Sequence, residues 1–229
     1  MPNSLTIRKA RLVLPDRVVQ GDLVIEDGII ADIGPRLEQT AGEVIDGTGL
    51  TVLPGLIDSH VHFRDPGSPE KEDIESGSRA AAAGGVTSFL DMPNTSPATT
   101  TVEALEDKLE RAADVSSVNY GFFMGATPDN LAELNAAERT CGIKVFMGPS
   151  TGDLLVEDRD HLEALIEGTD KLIAVHAEDH ARIKERQLVY EGSDAPDVHR
   201  KIRDIDSSLI AVRQAVERAL KHGRRLHVP

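Results

Sequence analysis

The sequence has little cysteine, few aromatic residues and a deficit of positive charge. Of its 229 residues, one is cysteine (Cys141), none is tryptophan, and aromatic residues make up 3%. A single cysteine excludes an internal disulfide and gives no sign of an oxidising compartment. With 25 lysines and arginines against 39 aspartates and glutamates, the formal net charge is -14. Nucleic acid is therefore disfavoured as a partner, because phosphate binding needs clustered cations and base stacking needs aromatic rings.

Long apolar runs and targeting signals are also missing. No stretch is long enough to cross a bilayer, and the first residues lack the basic segment and apolar core of a secretory signal. We therefore expect a cytoplasmic protein with no membrane partner. A hydrophobic fraction of 40% over 229 residues suffices for a sizeable core, in one large domain or two small ones.

Two segments with different patterns divide the chain. Residues 1–52 hold short apolar strands broken by glycine and proline, which is typical of part of a small β-sandwich. Asp27-Gly28 between two of these strands predicts a hairpin with a type I′ turn. In residues 53–229, strands and helices alternate. We predict strands at 53–63, 86–92, 119–124, 143–147, 172–176 and from 225 onward, and helices at 72–83, 102–113, 129–139, 159–167 and 207–221.

The alternation in residues 53–229 predicts a parallel sheet covered by helices. A doubly wound open sheet and a (β/α)8 barrel both fit. No G-x-G-x-x-G follows the first strand, which weakens the dinucleotide-binding version, whereas polar residues at several strand ends are typical of barrel enzymes. We expect an α/β fold, an incomplete (β/α)8 TIM barrel preceded by the β-sandwich segment.

Six strands do not close a barrel and leave an exposed edge. The last predicted strand begins at Arg225, and we expect it to be still running at Pro229, the final residue. We therefore expect a truncated piece of a longer protein.

His60 and His62 stand at the end of the first strand of the alternating region. Side chains at i and i+2 of a strand share a face, so both imidazoles can aim at one point while Val61 packs the other way. Two neutral imidazoles that converge from a strand end make half of a divalent metal site. The alternative is a chance pair of surface histidines.

Lys144 lies between the apolar residues Ile143 and Val145, in a strand that we expect to be buried on both faces. A buried ammonium is costly unless it is paired or deprotonated. One interpretation is an ion pair with a barrel carboxylate such as Asp91. The other is a neutral amine that reacts with CO₂ to give a carbamate, a bridging anion for two metals; other buried lysines form Schiff bases.

His176 ends a later strand, and with His60 and His62 elsewhere on the sheet it is a candidate third metal ligand. The alternative is a histidine satisfied by hydrogen bonds inside the barrel. His227, on the last predicted strand, is an additional candidate. We assign no role to the other histidines and expect them to face solvent: His161, His180, His199 and His222.

Arg64 follows His62 by two residues and can share its face. A guanidinium there can hold a carboxylate bidentately, unless it forms a salt bridge with Asp65 or Asp91. Asn94, in a Pro-Asn-Thr turn, could donate to the same carboxylate or could form an Asx-turn.

Four segments together resemble the dihydroorotases of the cyclic amidohydrolase superfamily. They are residues 54–67 (PGLIDSHVHFRDPG), 91–95 (DMPNT), 142–148 (GIKVFMG) and 176–179 (HAED). Each segment alone is unspecific, whereas their order and spacing agree with the family across essentially the whole chain. The resemblance implies a β-sandwich plus a metal-dependent barrel with two zinc ions. The ligands that it implies are His60 and His62 on one metal, Lys144 as a carbamate bridging both, and His176 on the other.

The resemblance also implies a substrate. Arg64 and Asn94 match the family residues that hold the substrate's carboxylate. The implied reaction is the reversible interconversion of N-carbamoyl-L-aspartate and (S)-dihydroorotate in de novo pyrimidine biosynthesis, by metal-assisted hydrolysis of a cyclic amide. We therefore expect a small-molecule substrate and a homo-oligomer.

The chain departs from the family pattern in its last residues. The family has a fourth metal histidine just beyond the position of His227, and an aspartate at the end of strand eight that binds metal and moves the proton. Neither has a counterpart here, and the aspartate would lie beyond Pro229. We therefore name no catalytic residue and expect this chain alone to be inactive. Asp153 is an alternative to Lys144, because some dihydroorotases bridge their metals with an aspartate.

Two other functions remain open from the sequence. Hydantoinases, dihydropyrimidinases and allantoinases share the H-x-H and lysine segments with dihydroorotases. Arg64 favours dihydroorotate, because a neutral hydantoin needs no carboxylate partner. A non-catalytic scaffold with the amidohydrolase fold is the second alternative.

Overall fold

The computed structural model describes residues 4–38, 42–149 and 154–229. The chain divides into two compact units, one up to Gly55 and one from Leu56 onward. The predicted boundary after residue 52 lies close to this division. None of the helices in the described part of the chain is long and apolar enough to cross a membrane.

The first unit is a mixed β-sheet. Its core contains Ala10, Leu12 and Leu23. Asp27 and Gly28 both have positive φ, +50° and +80°, and join two antiparallel strands, which confirms the predicted type I′ hairpin. The sheet order is β3-β2-β1-β4, with β5 also paired to β1. The strands are β1 (Ser4–Val13), β2 (Val18–Glu26), β3 (Ile29–Gly34), β4 (Glu43–Asp46) and β5 (Thr51–Val52).

The second unit is a parallel sheet with helices between successive strands. The strands are β6 (Leu56–Val61), β7 (Val86–Asp91), β8 (Asn119–Gly125), β9 (Gly142–Phe146), β10 (Ile173–His176) and β11 (Leu226–His227). The helices are α1 (Ile74–Ala83), α2 (Val102–Val115), α3 (Leu131–Ala136), α4 (Arg159–Glu167), α5 (His180–Val189), α6 (Val198–Ile202) and α7 (Ile205–His222). The strands pair in chain order from β6 to β11, all in parallel. This is the predicted incomplete (β/α)8 barrel.

The last strand is shorter than the sequence predicts. We expected it to be still running at Pro229, whereas β11 pairs with β10 through Leu226 and His227 and ends there. Pro229 is exposed and lies outside the strand, so the expectation is wrong at this residue. Val228 already lies outside the strand, and Pro229 has no backbone N–H with which to extend the ladder.

The two faces of the parallel sheet carry different side chains. Ile143 of β9 packs with Leu162 of α4 in the core under the helices. Neighbours along a strand point to opposite faces, and a second cluster of Met92, Phe123 and Ala174 occupies the inner face. The polar side chains that share this inner face therefore meet inside the curve of the sheet.

Two helices were missed by the sequence pattern. The sequence pattern predicts no helix between the strand that ends at residue 176 and the helix that begins at residue 207, whereas the structure places α5 and α6 there. Within α5, Ile183 is the one fully buried residue, so the segment lacks the apolar stripe by which an amphipathic helix is recognised. The helix is fixed instead at its start, where Asp179 accepts a hydrogen bond from the Arg182 backbone N–H at 2.8 Å.

Candidate metal centre

His60 and His62 converge at the carboxyl end of β6. Val61 between them packs against the core under the helices, so the two imidazoles lie on the inner face, as the i, i+2 spacing predicts. Their Nε2 atoms are 3.2 Å apart. Two nitrogens that bind one tetrahedral zinc at normal bond lengths are roughly 3.3 Å apart. At the observed separation the two nitrogens either share one proton or hold one cation.

The neighbouring strand orients the second of these rings. Asn94, which follows β7, has its Oδ1 2.7 Å from His62 Nδ1. An amide oxygen only accepts hydrogen bonds, so His62 Nδ1 carries the proton and donates, and Nε2 presents its lone pair. A histidine that binds metal commonly donates its other ring nitrogen in this way. The sequence assigned Asn94 to the substrate and missed this contact, although Asn94 follows the strand that pairs with β6.

Burial holds both imidazoles in the neutral form that binds metal. Desolvation, with smaller repulsion from Lys144, His62 and His227, lowers the pKa of His60 from 6.5 to about 4. Desolvation is also the largest cause that lowers the pKa of His62, and the hydrogen bond with Asn94 opposes it.

Lys144 is buried in the middle of β9, as expected, with 1% of its surface exposed. Its Nζ lies 5.3 Å from the centroid of the Phe146 ring, and no carboxylate of the described residues is within 4.0 Å of it. The alternative of an ion pair with Asp91 is wrong, because Asp91 pairs with Lys108 at 2.6 Å. Burial lowers the pKa of Lys144 to about 8, which enlarges its neutral, nucleophilic fraction near neutral pH.

His176 ends β10, the strand beside β9. Its Nε2 is 2.9 Å from Glu178 Oε2, and Arg203 Nη1 donates to the same carboxylate oxygen. Arg203 also donates from Nη2 to the Pro149 carbonyl at 2.9 Å. Across residues 4–38, 42–149 and 154–229, no three His, Cys, Asp or Glu side chains are grouped so that they could hold a metal ion.

Two of the expected acidic groups are not among the described residues. Asp153, the alternative bridging ligand, lies outside them. The catalytic aspartate that the family resemblance places beyond Pro229 stays a prediction. The candidate site therefore consists of the candidate metal ligands His60, His62, Lys144 and His176 and the candidate substrate-binding residues Arg64 and Asn94.

A cavity of about 330 Å³ opens beside Arg64 and Asn94. Its other lining residues are Pro66, Gly67, Ser68, Lys71, Thr95 and Ser96. The two charged residues among these are cations, Arg64 and Lys71, in a chain of net charge -14. The alternative partners of Arg64 are engaged elsewhere, because Asp65 pairs with Arg111 at 3.4 Å and Asp91 with Lys108. The cavity is therefore suited to an anionic group.

Two histidines expected to face solvent are partly buried instead. His180 has 14% of its side chain exposed and lies 3.8 Å from Glu157. His222 has the same exposed fraction, and its Nε2 is 2.6 Å from Glu163 Oε1. Both lie on helix surfaces that pack against a neighbouring segment. Their polar neighbours in the sequence give no indication of this packing. Lys71 and Lys108 were also missed, since each reads as an ordinary charged residue in its segment.

Comparisons with known proteins agree on one family. The amidohydrolase family profile matches residues 51–186. A dihydroorotase from Methanosarcina mazei is 36% identical over an alignment of 232 positions, which covers 99% of this chain and 51% of the relative. An allantoinase from Bacillus velezensis is 34% identical, and the match covers 52% of the length of that relative. Among solved structures, an L-hydantoinase (dihydropyrimidinase) from Arthrobacter aurescens has a TM-score of 0.91 at 27% identity, over 98% of this chain and 52% of that one.

These relatives bear three different activity names, and the chain spans about half the length of the curated relatives that it matches. His60, His62 and Lys144 lie within the residues that the family profile matches. The chain belongs to the amidohydrolase family.

Proposed function

We propose that this chain is part of a zinc-dependent dihydroorotase, which interconverts N-carbamoyl-L-aspartate and (S)-dihydroorotate in de novo pyrimidine biosynthesis. The observation that carries the proposal is the 3.2 Å approach of His60 Nε2 and His62 Nε2, on the same strand end as Arg64 and its cavity. The two metal ligands, His60 and His62, and the carboxylate-binding Arg64 would then face one small substrate. The proposal includes a cytoplasmic homo-oligomer.

The residues present fit a divalent metal. His60 and His62 are neutral and convergent, and we propose that Lys144 as its carbamate and His176 complete the protein ligands of two zinc ions. His176 joins this set when its Nε2 leaves Glu178. Bound zinc would polarise the amide carbonyl of the substrate and lower the pKa of water.

The charge of Lys144 supports its modification. As an ammonium it contributes to the repulsion that lowers the pKa of His60, and it would repel a metal cation in the same way. The neutral amine adds to CO₂ with loss of one proton and becomes a carbamate anion, which reverses the sign of the interaction. A carbamate supplies two oxygen atoms, so it can bridge two metal ions.

Arg64 supports a substrate that carries a carboxylate. A guanidinium presents two parallel N–H donors that match the two oxygens of a carboxylate. Dihydroorotate carries such a group on its ring, whereas hydantoin, dihydrouracil and allantoin are neutral rings. Lys71 adds a second positive charge to the same cavity, which favours the anionic substrate further.

The rival function is that of a hydantoinase, dihydropyrimidinase or allantoinase. The allantoinase relative and the L-hydantoinase fold neighbour favour it as strongly as the dihydroorotase relative favours ours. Arg64 is the residue that separates the two proposals. A non-catalytic scaffold is the third outcome, in which the chain binds neither metal nor ring.

A pair of ligands that differ by one carboxylate tests the proposal without requiring turnover. We expect the zinc-loaded protein to bind dihydroorotate at least 10-fold more tightly than dihydrouracil, measured by calorimetry. Dihydrouracil cannot form the ion pair with Arg64, and that hydrogen-bonded pair is worth at least about 1.4 kcal/mol. Arg64→Met should abolish the preference, while Arg79→Met, at a mainly exposed arginine of α1, should keep it. Equal affinity for both rings in the unsubstituted protein would favour the neutral-ring amidases.

A further inference from the structure

We propose that Asp91 is a positioning residue, which acts through the Phe63 backbone N–H to fix the direction of His62 and Arg64. The inference rests on the proposed function, because it gives these two side chains a metal-binding and a substrate-binding role. Lys108 supports Asp91 from helix α2.

The geometry uses both oxygens of the Asp91 carboxylate. Oδ1 accepts a hydrogen bond from the Phe63 N–H at 2.9 Å, and Oδ2 accepts from Lys108 Nζ at 2.6 Å. Asp91 and Lys108 are 0% and 2% exposed. The Lys108 ammonium also lies 4.6 Å from the centroid of the Phe122 ring. A carboxylate held in this way has one orientation, so its hydrogen bond to Phe63 has one direction.

The contact occurs where the backbone ladder between β6 and β7 stops. The last paired residues are Val61 and Asp91, and the Val61 carbonyl accepts from the Met92 N–H at 2.9 Å. The next donor along the chain is the Phe63 N–H, which the Asp91 side chain takes in place of a backbone carbonyl. The hydrogen bond therefore sets how the chain leaves the sheet, between His62 and Arg64.

The side chain of Phe63 fixes the same turn from the other side. Its ring packs edge-on against Phe89, with centroids 4.8 Å apart. A Cβ atom on Gly77 would lie 2.4 Å from the Phe63 ring, so helix α1 leaves room for this ring with a glycine. Phe63 is thus held at its side chain and at its backbone, and this fixes the backbone from which His62 and Arg64 project.

The ion pair needs a test that separates positioning from stability. Removal of one partner leaves an uncompensated buried charge, which destabilises a fold strongly. We therefore compare two double variants in which both charges are gone. Asp91→Asn with Lys108→Met keeps a side-chain oxygen for the Phe63 N–H, whereas Asp91→Leu with Lys108→Met removes that oxygen at similar volume.

Zinc affinity and amide hydrogen exchange are measured on the whole chain of each variant. We expect the asparagine variant to bind Zn²⁺ within 3-fold of the unsubstituted protein and to keep the Phe63 amide protected. We expect the leucine variant to bind Zn²⁺ 10-fold or more weakly, because removal of a residue that supports metal ligands commonly costs this much. We also expect its Phe63 amide to exchange faster. Equal zinc affinity and equal Phe63 exchange in the two variants would overturn the proposal.

Two controls keep the outcomes distinct. If the leucine variant fails to fold, Asp91→Ala with Lys108→Met replaces it as the variant without an acceptor. If the unsubstituted protein binds no zinc, the proposed function fails, while the exchange rate of the Phe63 amide still decides whether Asp91 fixes this peptide. Unchanged protection of that amide in every acceptor-free variant that folds would refute the positioning role.

Discussion

The ionisation of His60 differs between the folded and the unfolded chain. Burial and the nearby Lys144, His62 and His227 lower its pKa to about 4, and Asp58 opposes this only in part. Because the folded pKa lies below the usual 6.5, the unfolded chain binds the proton more readily. The contribution of His60 to stability is therefore complete above pH 6.5 and is lost as the pH falls toward 4.

The metal-free protein should show this loss directly. One proton of difference changes the free energy of unfolding by about 1.4 kcal/mol per pH unit, and we expect roughly half of that because the His60 ring is partly solvated. In urea denaturation between pH 7 and pH 4, His60→Gln should flatten the slope of stability against pH. His161→Gln, at a side chain that is 51% exposed, serves as the matched control. If stability depends on pH equally in His60→Gln and in the unsubstituted protein, His60 is not the group whose protonation lowers the stability.

For single residues, the sequence predicts which way a side chain points better than it predicts which residue that side chain contacts. The shared face of His60 and His62 follows from strand geometry alone, and the burial of Lys144 follows from its apolar neighbours. The contact between Asn94 and His62 joins residues 32 positions apart, so it depends on how β6 and β7 pair. The Asp91–Lys108 ion pair likewise joins a strand end to a helix, and nothing in either local segment distinguishes Lys108 from a surface lysine.

Among the secondary-structure elements, α5 and α7 are joined by a network of charges. Asp204 caps α7 by accepting from the Ser207 N–H at 3.1 Å. It also accepts from Arg182 of α5 at 2.6 Å and lies 3.1 Å from Arg186. The hydrogen bond with Arg182 is the first cause that lowers the pKa of Asp204 to about 2. One carboxylate thus starts one helix and binds another.

Asp204→Ala should lower the free energy of unfolding by about 2 kcal/mol, since a lost N-cap costs about 1 kcal/mol and partly buried charged hydrogen bonds add a similar amount. Asp206→Ala is the matched control, because Asp206 contacts the same Arg182 but is 61% exposed. We expect it to change stability by less than about 0.5 kcal/mol. Chemical denaturation at pH 7 measures both, and equal losses in the two variants would contradict the capping role.

The sequence predicts elements where their apolar residues repeat. Helices α1, α2, α4 and α7 carry such a stripe, and the predicted ranges overlap the observed ones. Helix α5 does not, because charged side chains in ion pairs take the place of apolar contacts. Its existence depends on the packing of α7 and on Asp179 at its start, which become visible when the chain is folded.

For the whole molecule, the parallel order of the strands explains why residues far apart in the sequence lie at one edge of the sheet. Strands β6, β9 and β10 bring their carboxyl ends to the same edge of the barrel. The alternation of strand and helix is sufficient to predict this edge. The contacts of the side chains at this edge are not predictable from the sequence: His176 Nε2 lies beside Glu178 Oε2, and Arg203 donates to the same oxygen.

Zinc affinity, measured with and without bicarbonate as the source of CO₂, tests the proposed metal centre most directly. The unsubstituted protein should bind Zn²⁺ more tightly with bicarbonate, because the carbamate of Lys144 contributes a negative ligand. Lys144→Met should remove the bicarbonate dependence, and His60→Asn with His62→Asn should weaken binding at least 10-fold under either condition. Equal affinity in all three proteins, with no effect of bicarbonate, would show that these side chains do not form a metal centre.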